Sequence, residues 1–504
     1  MSALPEIPAD EAVNIEINGQ PCQARKGAMI IEVTDALGIS VPRFCYHKKL
    51  SIAANCRMCM VEVEKVPKPL PACATPVAEG MKIFTQSEIA TAGQKAVMEF
   101  LLINHPLDCP ICDQGGECEL QDLALGYGRD VSRFAEKKRV VKDKFIGPLI
   151  ATDMTRCIHC TRCIRMLREV AGKMELGATG RGENMEIGTY IEKSLESELS
   201  GNVIDVCPVG ALTSKPFRFK ARAWELQQHL TIAPHDCVGS NLFAHTRRGQ
   251  VMRVVPRENE EINEVWLSDR DRFSYEGLYS EDRLQAPMVK ADGEWQTVDW
   301  ETGLQAAVDA IRTVIEAHGV DQLGVLASPS ATLEEMSLLQ ALARGLGVNN
   351  IDHRLRQVDF SDQDTAPLCP TLGQPLDALE KVNAALVIGA NPRKDQPIIG
   401  HRLRKAATAG AQVMFVNPLD YEFLFDVHAK SIVPPAQLVD ALAAGASCFP
   451  DAGSGASDAV KTVIANATAD EAQRRMAAAL KEADAATLLL GNVATAHPQY
   501  SMLK

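Results

Sequence analysis

Twelve side chains between Cys45 and Cys207 fall into three sets, and each set can supply four soft or borderline metal ligands. Cys45, Cys56, Cys59 and Cys73 read C-x10-C-x2-C-x13-C. His105, Cys109, Cys112 and Cys118 read H-x3-C-x2-C-x5-C. Cys157, Cys160 and Cys163 read C-x2-C-x2-C, and Cys207 follows much later with Pro208 behind it. Four such ligands are what an iron–sulfur cluster or a tetrahedral zinc ion requires. Eleven of the fifteen cysteines lie in this stretch. Clustered C-x2-C pairs in a chain that shows no export signal favour metal ligation over disulfides.

The sets differ in what they specify. Two irons bridged by sulfide need four thiolates converging from a loop that wraps them, and the first set can provide it. A zinc ribbon would need two C-x2-C knuckles, and here there is one. In the second set a histidine stands four residues before a C-x2-C pair that has only one further thiolate nearby. Imidazole in place of thiolate makes a site less negative and raises its reduction potential. Gly115-Gly116 lets the backbone fold tightly there, since glycine reaches positive φ without penalty. Zinc also accepts three thiolates and one imidazole, so spacing alone leaves both metals open for this set. The third set resembles bacterial [4Fe–4S] ferredoxins, in which three close cysteines are joined by a distant Cys-Pro cysteine. One such complement is present, which fits one cubane.

Other residues near the sets receive blander readings. His159 is expected to be exposed or to lie behind the ligands, and Arg156, Arg162, Arg165 and Arg168 either to offset cluster charge or, as the default reading, to form a solvated face. Lys137, Lys138, Arg139, Lys142 and Lys144 read as a solvated linker, with docking to an acidic partner as the alternative. Cys22, Cys237, Cys369 and Cys448 read as ordinary buried cysteines.

The elements that must hold these ligands are partly legible. Residues 13–17 alternate apolar and polar as a half-buried strand does, and Asn18-Gly19 is a type I′ hairpin signal before a second strand through Cys22. Met29 to Leu37 has helical spacing, with Gly38 placed to end it. Val61 to Val63 reads as a further strand. From about 285 the pattern changes to alternating strands and helices without cysteine clusters. Strands are expected at 323–327, 385–389, 412–416 and 485–491. Thr332 and Glu335 form a capping box opening a helix to about 344, and another helix runs to about 409. This is βαβ organisation around a parallel sheet.

Strand hairpin, short helix, cysteine loop and strand in that order resemble the plant-type [2Fe–2S] ferredoxin fold. The departure is the first cysteine pair, C-x10-C here against C-x4-C there. The three motifs in this order resemble the large iron–sulfur subunit family of respiratory complex I, and residues 237–278 resemble that family's next domain. The resemblance implies an α/β multidomain chain. Its parts would be a β-grasp [2Fe–2S] ferredoxin-like domain at 11–90, a [4Fe–4S] domain with one histidine and three cysteine ligands at 91–130 and a [4Fe–4S] ferredoxin-like domain at 131–225. A molybdopterin-oxidoreductase-type domain lacking its cluster would span 226–284, and an incomplete molybdopterin-oxidoreductase-like α/β domain 285–504.

The same resemblance implies the cofactors and partners. One [2Fe–2S] cluster would sit on Cys45, Cys56, Cys59 and Cys73. One [4Fe–4S] cluster would sit on His105, Cys109, Cys112 and Cys118, and a second on Cys157, Cys160, Cys163 and Cys207. Electrons would come singly from an NADH-oxidising flavoprotein subunit and leave through a ferredoxin-like subunit towards quinone, at the cytoplasmic side of a bacterial inner membrane. Some relatives carry a fourth cluster on a C-x2-C-x3-C motif. This chain offers Cys237 alone, so that cluster and a bound molybdopterin are expected to be absent. The family usually continues well beyond residue 504, so the resemblance implies a shortened C-terminal domain. The related subunit of a soluble NAD-linked hydrogenase or formate dehydrogenase is the alternative. A hydrogenase would need further cysteines after 285, and a formate dehydrogenase a molybdenum or tungsten ligand.

Composition bounds the rest. At 504 residues, with 46% hydrophobic and 23% charged residues, the chain should hold several ordinary globular domains. A net charge of −13 argues against nucleic acid as the main partner. No run of 18 or more apolar residues appears, so membrane contact would be indirect. The acidic N-terminal stretch, without an apolar signal region, reads as a cytosolic start. No G-x-G-x-x-G stands between a strand and a helix, so NADH and flavin are assigned to a partner, and no general acid, base or nucleophile is nominated.

Overall fold

A computed structural model describes residues 8, 10–367 and 371–504. Cys369 and most of the acidic N-terminal stretch lie outside the described residues. The chain divides into two compact units. The first comprises residues 1–231, 241–258 and 265–272, and the second 232–240, 259–264 and 273–504.

The first unit opens with β1 (Ala12–Ile17) and β2 (Gln20–Arg25), antiparallel from Ala12↔Arg25 to Ile17↔Gln20. Asn18 and Gly19 both take positive φ, as a type I′ turn demands. Then come α1 (Ile30–Ala36), β3 (Met60–Val63), β4 (Leu70–Pro71) and β5 (Lys82–Phe84). The sheet order is β2-β1-β5-β3-β4, with β5 parallel to β1. The inward residues of β1 and β3 (Val13, Ile15, Ile17, Val61, Val63) pack with Ile30, Ile31 and Ile83 into one core. Cys59 and Cys73 belong to that core, so a metal loop is anchored directly on it.

Two helices follow, α2 (Glu88–Leu102) and α3 (Glu119–Tyr127). Ser87 caps α2 by accepting from Ala90 N–H, and Lys138 Nζ donates to the carbonyls of Leu102 (3.0 Å) and Ile103 (2.8 Å) at its other end. Arg139 donates to Met185 O and Lys144 to Thr189 O. Lys138, Arg139 and Lys144 are therefore half-buried staples and not a solvated linker, while Lys137 and Lys142 are exposed.

Strand β6 (Ile150–Thr152), helix α4 (Arg162–Arg165), strands β7 (Gly177–Thr179) and β8 (Glu186–Gly188), helix α5 (Asn202–Val206) and strand β9 (Leu212–Ser214) come next. Antiparallel pairing of β6 with β9 brings the start of the Cys157 loop beside the end of the Cys207 loop. Helix α4 runs straight into a π-helical turn, Met166–Ala171, closed by Gly172 at φ +79. Strands β10 (Gln227–Ile232), β11 (Asn241–Arg247) and β12 (Gln250–Pro256) form a meander, and α6 (Asp269–Phe273) follows.

The second unit begins with a hairpin, β13 (Met288–Ala291) and β14 (Glu294–Thr297), then α7 (Trp300–His318). Strands β15 (Gly324–Leu326) and β16 (Asn350–Asp352) pair in parallel across α8 (Leu333–Gly345). The capping box forms as expected: Glu335 N–H donates to Thr332 Oγ1 (3.2 Å) and Thr332 N–H to Glu335 Oε2 (2.7 Å).

A larger parallel sheet uses β17 (Ala384–Ile388), β18 (Gln412–Asn417), β19 (Ala429–Ile432) and β20 (Ala486–Leu490), in the order β19-β18-β17-β20. Every residue of β17 is buried, which is why it reads as an unbroken apolar run. The helix expected after 389 is broken into Pro392–Asp395 and Pro397–Thr408. Pro397 imposes the break, because it offers no N–H to continue the first turn.

Cys22 and Cys448 are half-buried and Cys237 is exposed, so the reading of these as buried cysteines is corrected. Cys22 lies on the edge strand β2, where it packs against the core from one side only, and Cys237 lies in a loop between β10 and β11.

Candidate metal centres

The first ligand set is carried by the loop between α1 and β3 and by the turn after β4. Cys45, Cys56, Cys59 and Cys73 are all buried. Ala54 and Arg57 take left-handed φ of +51 and +58, folding the loop back on itself. Cys45 N–H donates to Cys56 Sγ at 3.4 Å. The Cys45 thiol is in hydrogen-bond contact with those of Cys56 and Cys73, and Cys59 with Cys73. Those neighbouring S–H groups pull Cys45 down to about 2, while Cys56 and Cys73 are pushed far up by the same contacts and by burial. Crowded thiols of this kind can all ionise only against a positive centre, which is what ferric ions supply.

The second set is assembled between α2 and α3. Cys112 and Cys118 are buried and Cys109 is exposed. His105 Nδ1 is buried with no hydrogen-bond partner among the described residues, an available lone pair or N–H facing the protein interior. Burial first, then the charges of Arg156 and Lys138, hold the His105 imidazole down to about 4, so it is neutral at physiological pH. A neutral imidazole is the form that binds metal. Burial also raises the Cys112 and Cys118 thiols. The backbone is tight here: a Cβ on Gly115 would lie 2.8 Å from Cys109 O, and one on Gly116 (φ +94) 2.4 Å from the Trp224 ring.

The third set joins the loop after β6 to the turn after α5. Cys160, Cys163 and Cys207 are buried and Cys157 half-buried. His159 and Thr161 take left-handed φ, and His159 N–H donates to Cys157 Sγ at 3.4 Å. His159 is half-buried and its carbonyl accepts from Asn55 Nδ2, in keeping with a place behind the ligands. Burial, then the charges of the other thiols, raises Cys157 and Cys160 to about 12 and Cys163 well above its ordinary value. Cys207 Sγ donates to Val209 O at 3.0 Å.

The thiols of the first set touch one another, and those of the second and third sense one another's charge, with Cys109 exposed and Cys157 half-buried. Among the described residues no three His, Cys, Asp or Glu side chains are grouped around a single ion. The donors fit a cluster whose irons are held one thiolate or two at a time.

The second and third sets also touch. The Pro208 carbonyl accepts from Cys118 Sγ (3.8 Å), and a Cβ on Gly210 would lie 2.1 Å from Cys112 Sγ.

Sequence reasoning singled out the arginines but set the solvated face above the charge-offsetting role. Arg156, Arg162 and Arg165 are each only 5% exposed, which overturns the solvated face. Their partners are the ligand loops. Arg156 Nε donates to Asp108 (3.1 Å), and its Nη1 pairs with Asp153 (3.0 Å). Arg162 donates to Glu119 (2.9 Å) and to Tyr46 O (2.8 Å). Arg168 alone is exposed as expected, on Glu169. Arg272 pairs with Asp205, two residues before Cys207. An arginine beside a cysteine in an otherwise acidic chain was the available signal, since buried anionic centres need nearby cations.

A further chain reaches Cys118. Arg253 forks onto both oxygens of Glu117 (2.7 and 2.6 Å), and its Nε donates to His245 Nδ1 (3.1 Å). Burial, with Arg253 opposing and Glu117 favouring a proton, holds His245 from 6.5 down to about 4. The unfolded chain therefore takes up a proton first as pH falls. Stability from this site is full above about pH 6.5 and declines towards pH 4. Thermal unfolding should show this loss, on the order of 3 kcal/mol. A His245→Gln variant should have a flatter profile than the parent over the same interval.

Comparison with known proteins follows the same divisions. Family models match residues 10–88 (2Fe-2S iron-sulfur cluster binding domain) and 94–133 (NADH-ubiquinone oxidoreductase-G iron-sulfur binding region). Others match 147–213 (NADH-quinone oxidoreductase subunit 3, ferredoxin-like domain) and 227–276 (NADH-ubiquinone oxidoreductase NDSU1/NuoG-like, 4Fe-4S domain). A molybdopterin oxidoreductase model matches residues 283–503.

An NADH-quinone oxidoreductase subunit of Rickettsia bellii is 46% identical over 399 residues, covering 79% of this chain and 58% of that protein. The NADH-ubiquinone oxidoreductase 75 kDa subunit of Reclinomonas americana is 46% identical over 415 residues, covering 79% and 59%. The mitochondrial NADH dehydrogenase [ubiquinone] iron-sulfur protein 1 of Solanum tuberosum is 46% identical over 434 residues, covering 86% and 58%. The chain therefore spans less than two thirds of the length of these relatives. A solved chain of an NAD+-reducing [NiFe]-hydrogenase is 27% identical, covering 42% of this chain and 90% of that one, and its TM-score of 0.38 carries no argument. Models of this oxidoreductase's iron–sulfur regions match residues 94–133 and 227–276, and over most of its own length the chain is similar to the NADH-ubiquinone oxidoreductase 75 kDa iron–sulfur subunit.

Proposed function

We propose that this chain is an iron–sulfur electron-transfer subunit of a complex I-type NADH:quinone oxidoreductase. The observation that supports the reading is that all three ligand sets lie in one compact unit, with nine of their eleven cysteines buried. Cys45, Cys56, Cys59 and Cys73 hold a [2Fe–2S] cluster. His105, Cys109, Cys112 and Cys118 hold one [4Fe–4S] cluster, and Cys157, Cys160, Cys163 and Cys207 a second. When bound, such clusters take up and release single electrons without making a bond to substrate.

The chain's own residues bind, orient and exclude water. Buried thiols with raised proton affinity surrender protons only when metal replaces them, so loading commits each loop to one geometry. His105, kept neutral by burial and by Arg156, is ready to ligate and brings no negative charge of its own. Trp224 lies against Gly116 and narrows water's approach to the second set. NADH oxidation belongs to a flavoprotein partner and quinone reduction lies beyond a ferredoxin-like partner. Among the described residues no helix is long and apolar enough to cross a membrane, which suits a peripheral place on the cytoplasmic face. The five-part division at 90, 130, 225 and 284 is proposed with it.

The test is iron content and low-temperature EPR on anaerobically purified protein, before and after dithionite. About ten irons per chain are expected, with separable [2Fe–2S] and [4Fe–4S] signals on reduction. Stoichiometric zinc with no reduced-state signal would sink the reading and leave a structural metal protein.

A further inference from the structure

Arg165 is a buried cation for which, among the described residues, no carboxylate lies within ion-pair distance. It is 5% exposed, yet its hydrogen bonds go to carbonyls and one hydroxyl. Nη2 donates to Cys45 O (2.5 Å) and Cys160 O (3.2 Å), Nη1 to Ser51 O (2.5 Å), and Nε to Thr161 Oγ1 (3.3 Å). The two neighbouring buried arginines differ: Arg156 has Asp108 and Asp153, and Arg162 has Glu119. A guanidinium cannot shed its proton, and burying it without a counter-charge costs several kcal/mol. Something anionic must offset it. The acidic groups it senses most strongly are Cys160 and Cys45, one from each of two ligand sets, with Glu169 behind them.

We infer that Arg165 is a positioning residue shared by the Cys45 and Cys157 centres. Its fork ties their two loops together, and its unneutralised charge raises the reduction potential of both. The inference rests on the ligand assignment proposed above. The sign follows from charge: an electron entering either centre makes it more negative, and a nearby fixed cation stabilises that form. Removing the cation lowers both potentials. The His105 centre has no ligand loop on Arg165 and should be spared.

The experiment is an EPR-monitored redox titration of the full chain against Arg165→Gln, Arg165→Lys and Arg162→Gln, with iron measured on each. In Arg165→Gln the reduction equilibrium of both the [2Fe–2S] centre and the Cys157 [4Fe–4S] centre should fall about tenfold, or about 59 mV for one electron. The His105 centre should keep its potential. Arg165→Lys keeps the charge and should stay near the parent. Arg162→Gln removes a cation already paired with Glu119 and should move both potentials less than Arg165→Gln does.

Unshifted potentials in an iron-replete Arg165→Gln overturn the inference, as does an equal shift of all three centres. Should Arg165→Gln lose iron, Arg165→Lys decides: parent-like potentials support the charge role, and a tenfold fall with the charge intact overturns it. A parent chain without a [2Fe–2S] signal overturns the ligand assignment and this inference with it. Normal parent signals with unshifted variants overturn the inference alone.

Discussion

Replacing Gly210 by alanine should strip the His105 centre from the protein while sparing the [2Fe–2S] centre. Gly210 lies three residues after Cys207, yet its nearest neighbour is Cys112 of another ligand set. An added methyl would sit 2.1 Å from Cys112 Sγ, 3.2 Å from Gln114 Cβ and 3.7 Å from Arg156 Cδ. Nothing there yields cheaply. On the proposed assignment Cys112 Sγ is a ligand atom with one useful position, and the Arg156 guanidinium is held by Asp108 and Asp153. Overpacking a tight interior typically costs about 1–3 kcal/mol when side chains can rotate away. Here rotating away means withdrawing a ligand. Iron should fall from about ten to about six per chain, with the [2Fe–2S] signal intact. Full iron with an unaltered spectrum in Gly210→Ala would contradict the assignment of Cys112. Gly126→Ala, where an added Cβ meets nothing within 4 Å, is the control.

Cys163→Ala should be costlier still. Cys163 is buried inside α4, between Arg162 and Arg165, which hold the loops of Tyr46, Glu119 and Cys45. On the proposed assignment, losing its thiolate leaves the buried Cys160 and Cys207 and the half-buried Cys157 without their metal. About four irons should be lost, one [4Fe–4S] signal should vanish, and the first unit should melt well below the parent. Cys22→Ala, on the edge strand β2, should retain the full iron content. Parent-like iron and melting in Cys163→Ala would remove Cys163 from the ligand set.

Parts of this protein were legible in the sequence because their causes are local. The β1–β2 hairpin follows from alternation and from the two positive-φ residues Asn18 and Gly19. The start of α8 follows from the reciprocal Thr332–Glu335 bonds, and β17 from an apolar run buried on both faces. The grouping of cysteines was legible for a chemical reason, since ligands a few residues apart on one loop reach the same centre without help from the fold. His105 stood out only by its place before Cys109.

The tertiary structure decided the contacts between segments far apart in sequence. Pairing of β6 with β9 draws Cys207 towards a loop about fifty residues earlier, and parallel pairing of β1 with β5 closes the first sheet across the whole Cys45 loop. Neither pairing has a signature in local periodicity, because register between distant strands is fixed by shared core burial. The arginines were misread for the same reason. Arg156, Arg162 and Arg165 look like any basic surface face until Tyr46, Asp108, Glu119 and Ser51 are folded against them. Composition and spacing determined which atoms can bind metal. Folding alone decided which charges are buried beside them, because a counter-charge acts through distance in space and not along the chain.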